Sequence, residues 1–211
     1  MKQYPVAREG WIFVGIGALL TAAVYWFFGT WAVIPALLTG FVIFFFRNPE
    51  REIPVGNGMI VSPADGRVLK VENVAESKYI GGEAQKVSIF LSLFNVHINR
   101  IPVQGQVEYL DTAGTQFLAA YKEKAPDLNV RKSLGLATPW GRVMVVQITG
   151  LVARRIVSWA QMGDLYQTGD RFGLIRFGSC TEVYLPKQAN LVVKPGDRVK
   201  AGESVIGRFV D

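Results

Sequence analysis

Hydrophobic and polar positions divide this chain into two unlike parts. From Trp11 to Phe46 there is no charged residue, and the apolar run is broken only by Gly29-Thr30-Trp31 and Pro35. A soluble core helix needs far less than this. One straight helix over 11–46 would be about 54 Å long against a hydrocarbon core of roughly 30 Å, so a helical hairpin is predicted. Its arms, 11–28 and 31–46, would reach about 27 and 24 Å, which suits either a spanning or a shallow re-entrant hairpin. Lys2 and Arg8 precede the run while Arg47 and Arg51 follow it, which places both ends on the cytoplasmic side. Trp11, Trp26 and Trp31 fit interfacial positions, and Arg47-Asn48-Pro49 reads as the exit from the bilayer. A cleaved signal peptide fits poorly, because the run is too long and lacks a small-residue cleavage site.

After Arg51 the pattern changes to short valine- and isoleucine-rich runs separated by Gly, Pro, Asn and Asp: GMIVSPADGRVLKVENV, KVSIFLSL, GQVEYLDT, GRVMVVQITG, TEVYLP and SVIGRFV. These predict a mainly β soluble domain over 52–211 behind a membrane-associated segment over 1–51. A helix is expected around Ala153 to Gln161. The polar stretch from Phe117 to Thr138 lacks a clean period and is expected to form a long loop over the site. Its Lys122, Lys124, Arg131 and Lys132 face either a phosphate headgroup or water. ADGRV near the start and VKPGDRVKAGESVIG at the end resemble the barrel-sandwich hammerhead of biotinyl and lipoyl carriers, in which the two ends of the domain pack as similar hairpins. No exposed hairpin tip carries the lysine that a carrier modifies.

Composition narrows the partners. A formal charge of +6 and a pI near 9.5 favour anionic surfaces, and the hydrophobic N-terminus points to a membrane rich in acidic lipids rather than to nucleic acid. No basic run or RNA-binding aromatic motif argues otherwise. One cysteine, Cys180, excludes an intrachain disulfide, and with a single histidine, His97, it cannot build the usual zinc sites, so no metal is expected.

The chemistry is concentrated at Gly178-Ser179, within RFGSCTEVYLP. A Gly-Ser pair is ordinarily a turn. A serine hydroxyl beside the preceding carbonyl can also attack it, moving the acyl group from N to O, and glycine leaves that approach open. Elimination from the ester expels the upstream carboxylate and gives dehydroalanine, whose imine tautomer takes up water and loses ammonia to leave a pyruvoyl group made from Ser179. Taking the serine proton needs a base, which His97 in FNVHINR supplies near neutral pH. Asp65 in SPADG is the natural carboxylate to orient the imidazole, and Asp-Gly also serves as a turn. Cys180 offers a rival reading as a thiol nucleophile paired with His97.

Taken in order, FFFRNPER (44–51), VSPADGRV (61–68), SLFNVHINRIPVQGQV (92–107) and RFGSCTEVYLP resemble a phosphatidylserine decarboxylase of the short bacterial and archaeal type, over nearly all of 44–211. The resemblance implies a pyruvoyl enzyme that cleaves itself between Gly178 and Ser179 into a β chain (1–178) and an α chain (179–211). It implies decarboxylation of phosphatidylserine to phosphatidylethanolamine through a Schiff base, without added coenzyme, at the cytoplasmic face of the cell membrane. Members of the longer type carry a second histidine three residues after the first, where this chain has Arg100. That departure leaves open whether His97 serves in self-cleavage, decarboxylation or both. Ether-linked archaetidylserine as substrate, a homo-oligomer, and a membrane-anchored adaptor without activity also stay open.

Overall fold

The computed structural model describes residues 4–118, 125–150, 155–176 and 179–209. They form two compact units, Met1–Glu50 and Arg51–Asp211.

The first unit is the expected apolar hairpin. Helix α1 (Trp11–Phe28) and helix α2 (Val33–Phe45) are joined by a 3-10 turn, Gly29–Ala32. Gly29 takes φ +58°, a conformation open to glycine, and turns the chain back. Small residues let the arms approach: a Cβ on Gly17 would collide with the Thr39 side chain, and one on Gly10 would lie 2.7 Å from Phe46 Cβ. The open end is closed by Ala7 N–H donating to Phe46 O at 2.8 Å and Asn48 N–H donating to Pro5 O at 2.7 Å. Leu19, Trp26, Phe27 and Leu37 point outward, Trp26 at 84% exposure. A helical pair that is apolar all round and buries so little of itself is built for a nonpolar surrounding. The run Arg8–Phe45 is long and apolar enough to cross a membrane by length and composition.

The second unit is mainly β. Its strands in chain order are β1 (Met59–Val61), β2 (Gly66–Glu76), β3 (Gly82–Leu91), β4 (Ile98–Arg100), β5 (Gly105–Ala113), β6 (Arg131–Thr138) and β7 (Gly141–Ile148). There follow β8 (Ile156–Ser158), β9 (Leu165–Tyr166), β10 (Arg171–Ile175), β11 (Ser179–Pro186), β12 (Ala189–Leu191), β13 (Arg198–Val199) and β14 (Val205–Phe209). Eight of them make one curled sheet in the order β13-β2-β3-β11-β7-β6-β5-β9, and smaller sheets β1-β14-β12 and β4-β10-β8 complete the unit. Register shifts in β2 between Val68 and Lys70, and in β5 between Val107 and Tyr109, add local twist where the sheet curls.

Alternation decides the faces. Val87, Ile89 and Leu91 of β3, Val183 and Leu185 of β11, Val143 and Val145 of β7, and Leu134 and Leu136 of β6 share the inner core. The opposite face carries a second cluster around Tyr79, Met144, Val146, Ile148 and Cys180. The two ends of the domain lie together, β1 pairing with β14 and β2 with β13, as the hammerhead likeness implies.

Two expectations are overturned. Around Ala153 to Gln161 the described residues give strand β8 rather than a helix, because Ile156 and Val157 extend to pair with Ile175 and Leu174. Ala153 itself lies outside the described residues. Within 117–138 the second half is strand β6, paired on both sides by β5 and β7. The polar Arg131-Lys132-Ser133 at its start hid the alternation that Leu134 and Leu136 then follow. Lys122 and Lys124 lie outside the described residues.

Candidate active site

Ser179 opens β11, the strand held between β3 and β7 in the middle of the large sheet, and pairs with Leu91. It is fully buried, and among the described residues its Oγ has no hydrogen-bond partner. A buried polar atom without a partner is uncommon and asks for an explanation. Gly178, its expected cleavage partner, lies outside the described residues.

His97 stands just ahead of β4 and is also buried. Its ring orientation is set locally: Asn95 Oδ1 accepts from Ser92 N–H at 2.9 Å and from Ser92 Oγ at 2.7 Å, closing a turn. That turn presents the Asn95 carbonyl 2.9 Å from His97 Nδ1. A carbonyl only accepts, so in the neutral ring Nδ1 carries the proton and Nε2 keeps its lone pair.

The histidine motif meets both strand β10, which precedes the serine, and the serine strand itself. Ile175 N–H donates to His97 O at 3.1 Å, only four positions before Ser179. Asn99 Nδ2 donates to Thr181 Oγ1 at 3.0 Å and to Pro63 O at 3.2 Å, while Gln147 Nε2 donates to Asn99 Oδ1 at 2.8 Å. Asn99, Gln147 and Thr181 are all buried. One amide, Asn99, two residues after His97, therefore ties the SPADG loop and strand β4 to the serine strand at Thr181.

Asp65 is buried too, but its hydrogen bonds run to a different group. The carboxylate takes Arg51 Nη2 at 2.9 and 3.0 Å and the Ala201 N–H at 2.8 Å. Arg51 reaches Glu203 through Nη1 at 3.2 Å, so this arginine, expected among the charges flanking the bilayer, sits in a carboxylate clasp. Gly66 follows because a Cβ there would strike the Phe90 carbonyl. The orienting bond expected of Asp65 is supplied at Nδ1 by Asn95 O, and Asp65 anchors the loop whose Pro63 carbonyl receives Asn99 and the Arg100 N–H. Arg100 is buried, its Nη1 donating to Gly169 O at 2.8 Å.

Comparisons with known sequences agree. The family described as phosphatidylserine decarboxylase matches residues 38–207. A phosphatidylserine decarboxylase proenzyme of Symbiobacterium thermophilum is 53% identical over 99% of this chain and 98% of its own length. Proenzymes of the same description from Carboxydothermus hydrogenoformans and Syntrophus aciditrophicus are 50% and 43% identical, over 96% and 97% of this chain and 95% and 97% of theirs. The chain belongs to the phosphatidylserine decarboxylase family.

For a member of this decarboxylase family, the thiol beside the serine is a poor nucleophile. Cys180 projects to the opposite face of β11, buried, and burial followed by the nearby Glu182 carboxylate pushes its thiol well above the ordinary range. The same face holds Glu182, which accepts from Ser88 Oγ at 2.9 Å and Tyr184 Oη at 2.8 Å and pairs with Lys86 at 3.6 Å. Burial works against the Lys86 charge, but Glu182 and Glu72 outweigh it and raise its pKa. Asn95, Asn99, Gln147 and Thr181 were not singled out from sequence. The available signal was the spacing Asn95-x-His97-x-Asn99, three polar side chains at strand period within an otherwise apolar run.

Proposed function

We propose that this chain is a proenzyme that cuts itself between Gly178 and Ser179, converts Ser179 into a pyruvoyl group and decarboxylates phosphatidylserine at the cytoplasmic face of a membrane. The observation that carries the proposal is the buried Ser179 hydroxyl, without a partner among the described residues, at the head of a central strand that Asn99 of the histidine motif binds at Thr181. In self-cleavage, His97 Nε2 takes the Ser179 Oγ proton as Oγ bonds to the Gly178 carbonyl carbon. The amide C–N bond breaks and its nitrogen receives that proton, leaving an ester. The tautomer imposed by Asn95 O gives Nε2 the lone pair this step needs.

A carbonyl at position 179, once formed, supplies an electron sink for an amino-acid headgroup losing carbon dioxide. Its site fits: Ser179, whose Cα would become the keto carbon, is fully buried at the head of the strand that the Asn99-Thr181 and Gln147-Asn99 hydrogen bonds hold. His97 then holds or returns a proton beside that position. Asp65 with Arg51 acts as a positioning pair. The membrane hairpin holds the enzyme at the lipid surface. Family membership speaks against an inactive adaptor.

Intact-mass analysis of the purified chain in detergent tests this. Two fragments are expected, 1–178 and a 179–211 piece that is slightly lighter than its sequence and blocked to Edman degradation, with both cleavage and carbon dioxide release lost in Ser179→Ala. An unbroken chain that still releases carbon dioxide from phosphatidylserine would refute the proposal.

A further inference from the structure

A cleft of about 290 Å³ opens on the inner face of the large sheet, lined among others by Thr112, Lys132, Gln147, Ser158 and Ala160. Thr181, Gln147 and Lys132 are register partners on β11, β7 and β6, so their side chains leave the sheet on one face. Gln147 is the wall between the cleft and the reaction neighbourhood, since its Nε2 donates to Asn99, which donates to Thr181. It can lie there because Gly173 has no Cβ, whose position would be 3.0 Å from Gln147 Nε2. We propose that this cleft receives the phosphodiester of the substrate headgroup and that Lys132 is the residue that binds it.

Charge and reach favour that occupant. Lys132 is the cation lining the cleft, half-buried, with no ion pair among the described residues. The acid at the cleft, Asp111, is a register partner of Ser133 rather than of Lys132, and its carboxylate engages Lys78 at 3.5 Å. Hydroxyls of Thr112 and Ser158 add donors. Two strand spacings and two residues along the strand separate the Cα atoms of Lys132 and Ser179 by about 12 Å. A lysine stem covers about half of that. In a serine phospholipid one oxygen and two carbons lie between phosphorus and the amine-bearing nitrogen, which covers most of the rest. The cleft volume suits a headgroup rather than acyl chains.

The inference rests on Ser179 being the reaction centre, so each chain is first checked for cleavage by mass. A wild-type chain that neither cleaves nor releases carbon dioxide removes that reading, and this proposal with it, before Lys132 is varied. With cleaved enzyme, KM is measured for dioctanoyl phosphatidylserine, and O-octyl serine, which keeps the amine, carboxylate and tail but lacks phosphate, is measured as substrate or competitor. Lys132→Met is expected to raise KM for the phospholipid about 10- to 100-fold, the value of one charge-assisted contact, with kcat little changed. Its affinity for O-octyl serine should not move, and Lys132→Arg should restore the phospholipid KM to within a few-fold. Inorganic phosphate should compete in the wild type and not in Lys132→Met. Should Lys132→Met fail to mature, Ser158→Asp, which sets a carboxylate against the same cleft, should raise the phospholipid KM alone. An unchanged phospholipid KM in the cleaved variants, or an equal loss on O-octyl serine, overturns the assignment.

Discussion

Replacing the reactive serine should make the uncleaved protein more stable, not less. Ser179 is fully buried and its hydroxyl has no partner among the described residues. Leaving such a group unsatisfied costs about 1–3 kcal/mol, which Ser179→Ala removes. The deletion opens a void of about 10 Å³, worth only about 0.2–0.3 kcal/mol at about 24 cal/mol per Å³. The balance is a gain of about 0.7–2.8 kcal/mol, or roughly 1–11 °C for a domain of this size. Because the wild type is proposed to cleave itself, the comparison is made in a His97→Ala background, where both chains should stay intact and differ by one oxygen. Hydrogen exchange of β3, β7 and β11 peptides, followed by mass spectrometry as urea is raised, reports the opening free energy of this sheet. If the alanine chain opens more easily, the hydroxyl is satisfied in the folded state and the argument for a poised nucleophile fails. Cleavage of the His97→Ala chain would refute the base assignment instead.

Two further outcomes follow from buried charge. Asp65→Asn leaves Arg51 with Glu203 as its one carboxylate partner among the described residues and should cost about 2–4 kcal/mol in urea unfolding, while Arg51→Met with Asp65→Leu should cost less than the single change. A loss below about 0.5 kcal/mol would show that the clasp does not form. At alkaline pH, Cys180 and Tyr184 matter because burial, then Glu182, raises both pKa values. The folded state keeps protons that the unfolded chain releases above about pH 8.5 for cysteine and about pH 10 for tyrosine, so stability falls as pH rises through this range. Measured in the uncleaved Ser179→Ala chain, Cys180→Ala should move the onset of that fall upward by about one pH unit; an unmoved onset would mean the thiol is not buried against Glu182.

How much could be read beforehand depends on whether the chemistry is local. The hairpin was legible because an uncharged run of such length has few alternatives, and the strands from Met59 to Leu91 and from Ser179 to Phe209 announced themselves by β-branched residues between turn signals. Strand β8 was not, since three residues carry too little period, and only pairing with β10 makes Ile156-Val157-Ser158 extended. Strand β6 was masked by Arg131 and Lys132, whose meaning depends on Gln147 and Thr112 beside them. At the site, Ser179 and His97 were legible as chemical types. The partner of the imidazole was not: a backbone carbonyl has no signature in sequence, and Asn95 supplies one through a turn. Asp65 read as a catalytic carboxylate because of its type, yet its neighbours Arg51 and Ala201 come from positions far along the chain in both directions.

The position of the proposed cut explains why a protein could break its backbone in the core and keep its shape. The piece beginning at Ser179 brings β11, which lies between β3 and β7, β14, which lies between β1 and β12, and β13, which edges β2. Severing the bond before Ser179 therefore breaks no strand pairing among the described residues. The buried Glu182 of that piece also stays bound to Ser88 and Lys86 of the other, an attachment that would be costly to pull apart because it would strand a charge. The two pieces could part only by unfolding the sheet. A new chain end held this way would stay in the interior, at the head of the strand that the Asn99 network holds at Thr181. The same burial that leaves Ser179 without a hydrogen bond before cleavage would then shield from water the carbonyl that replaces it.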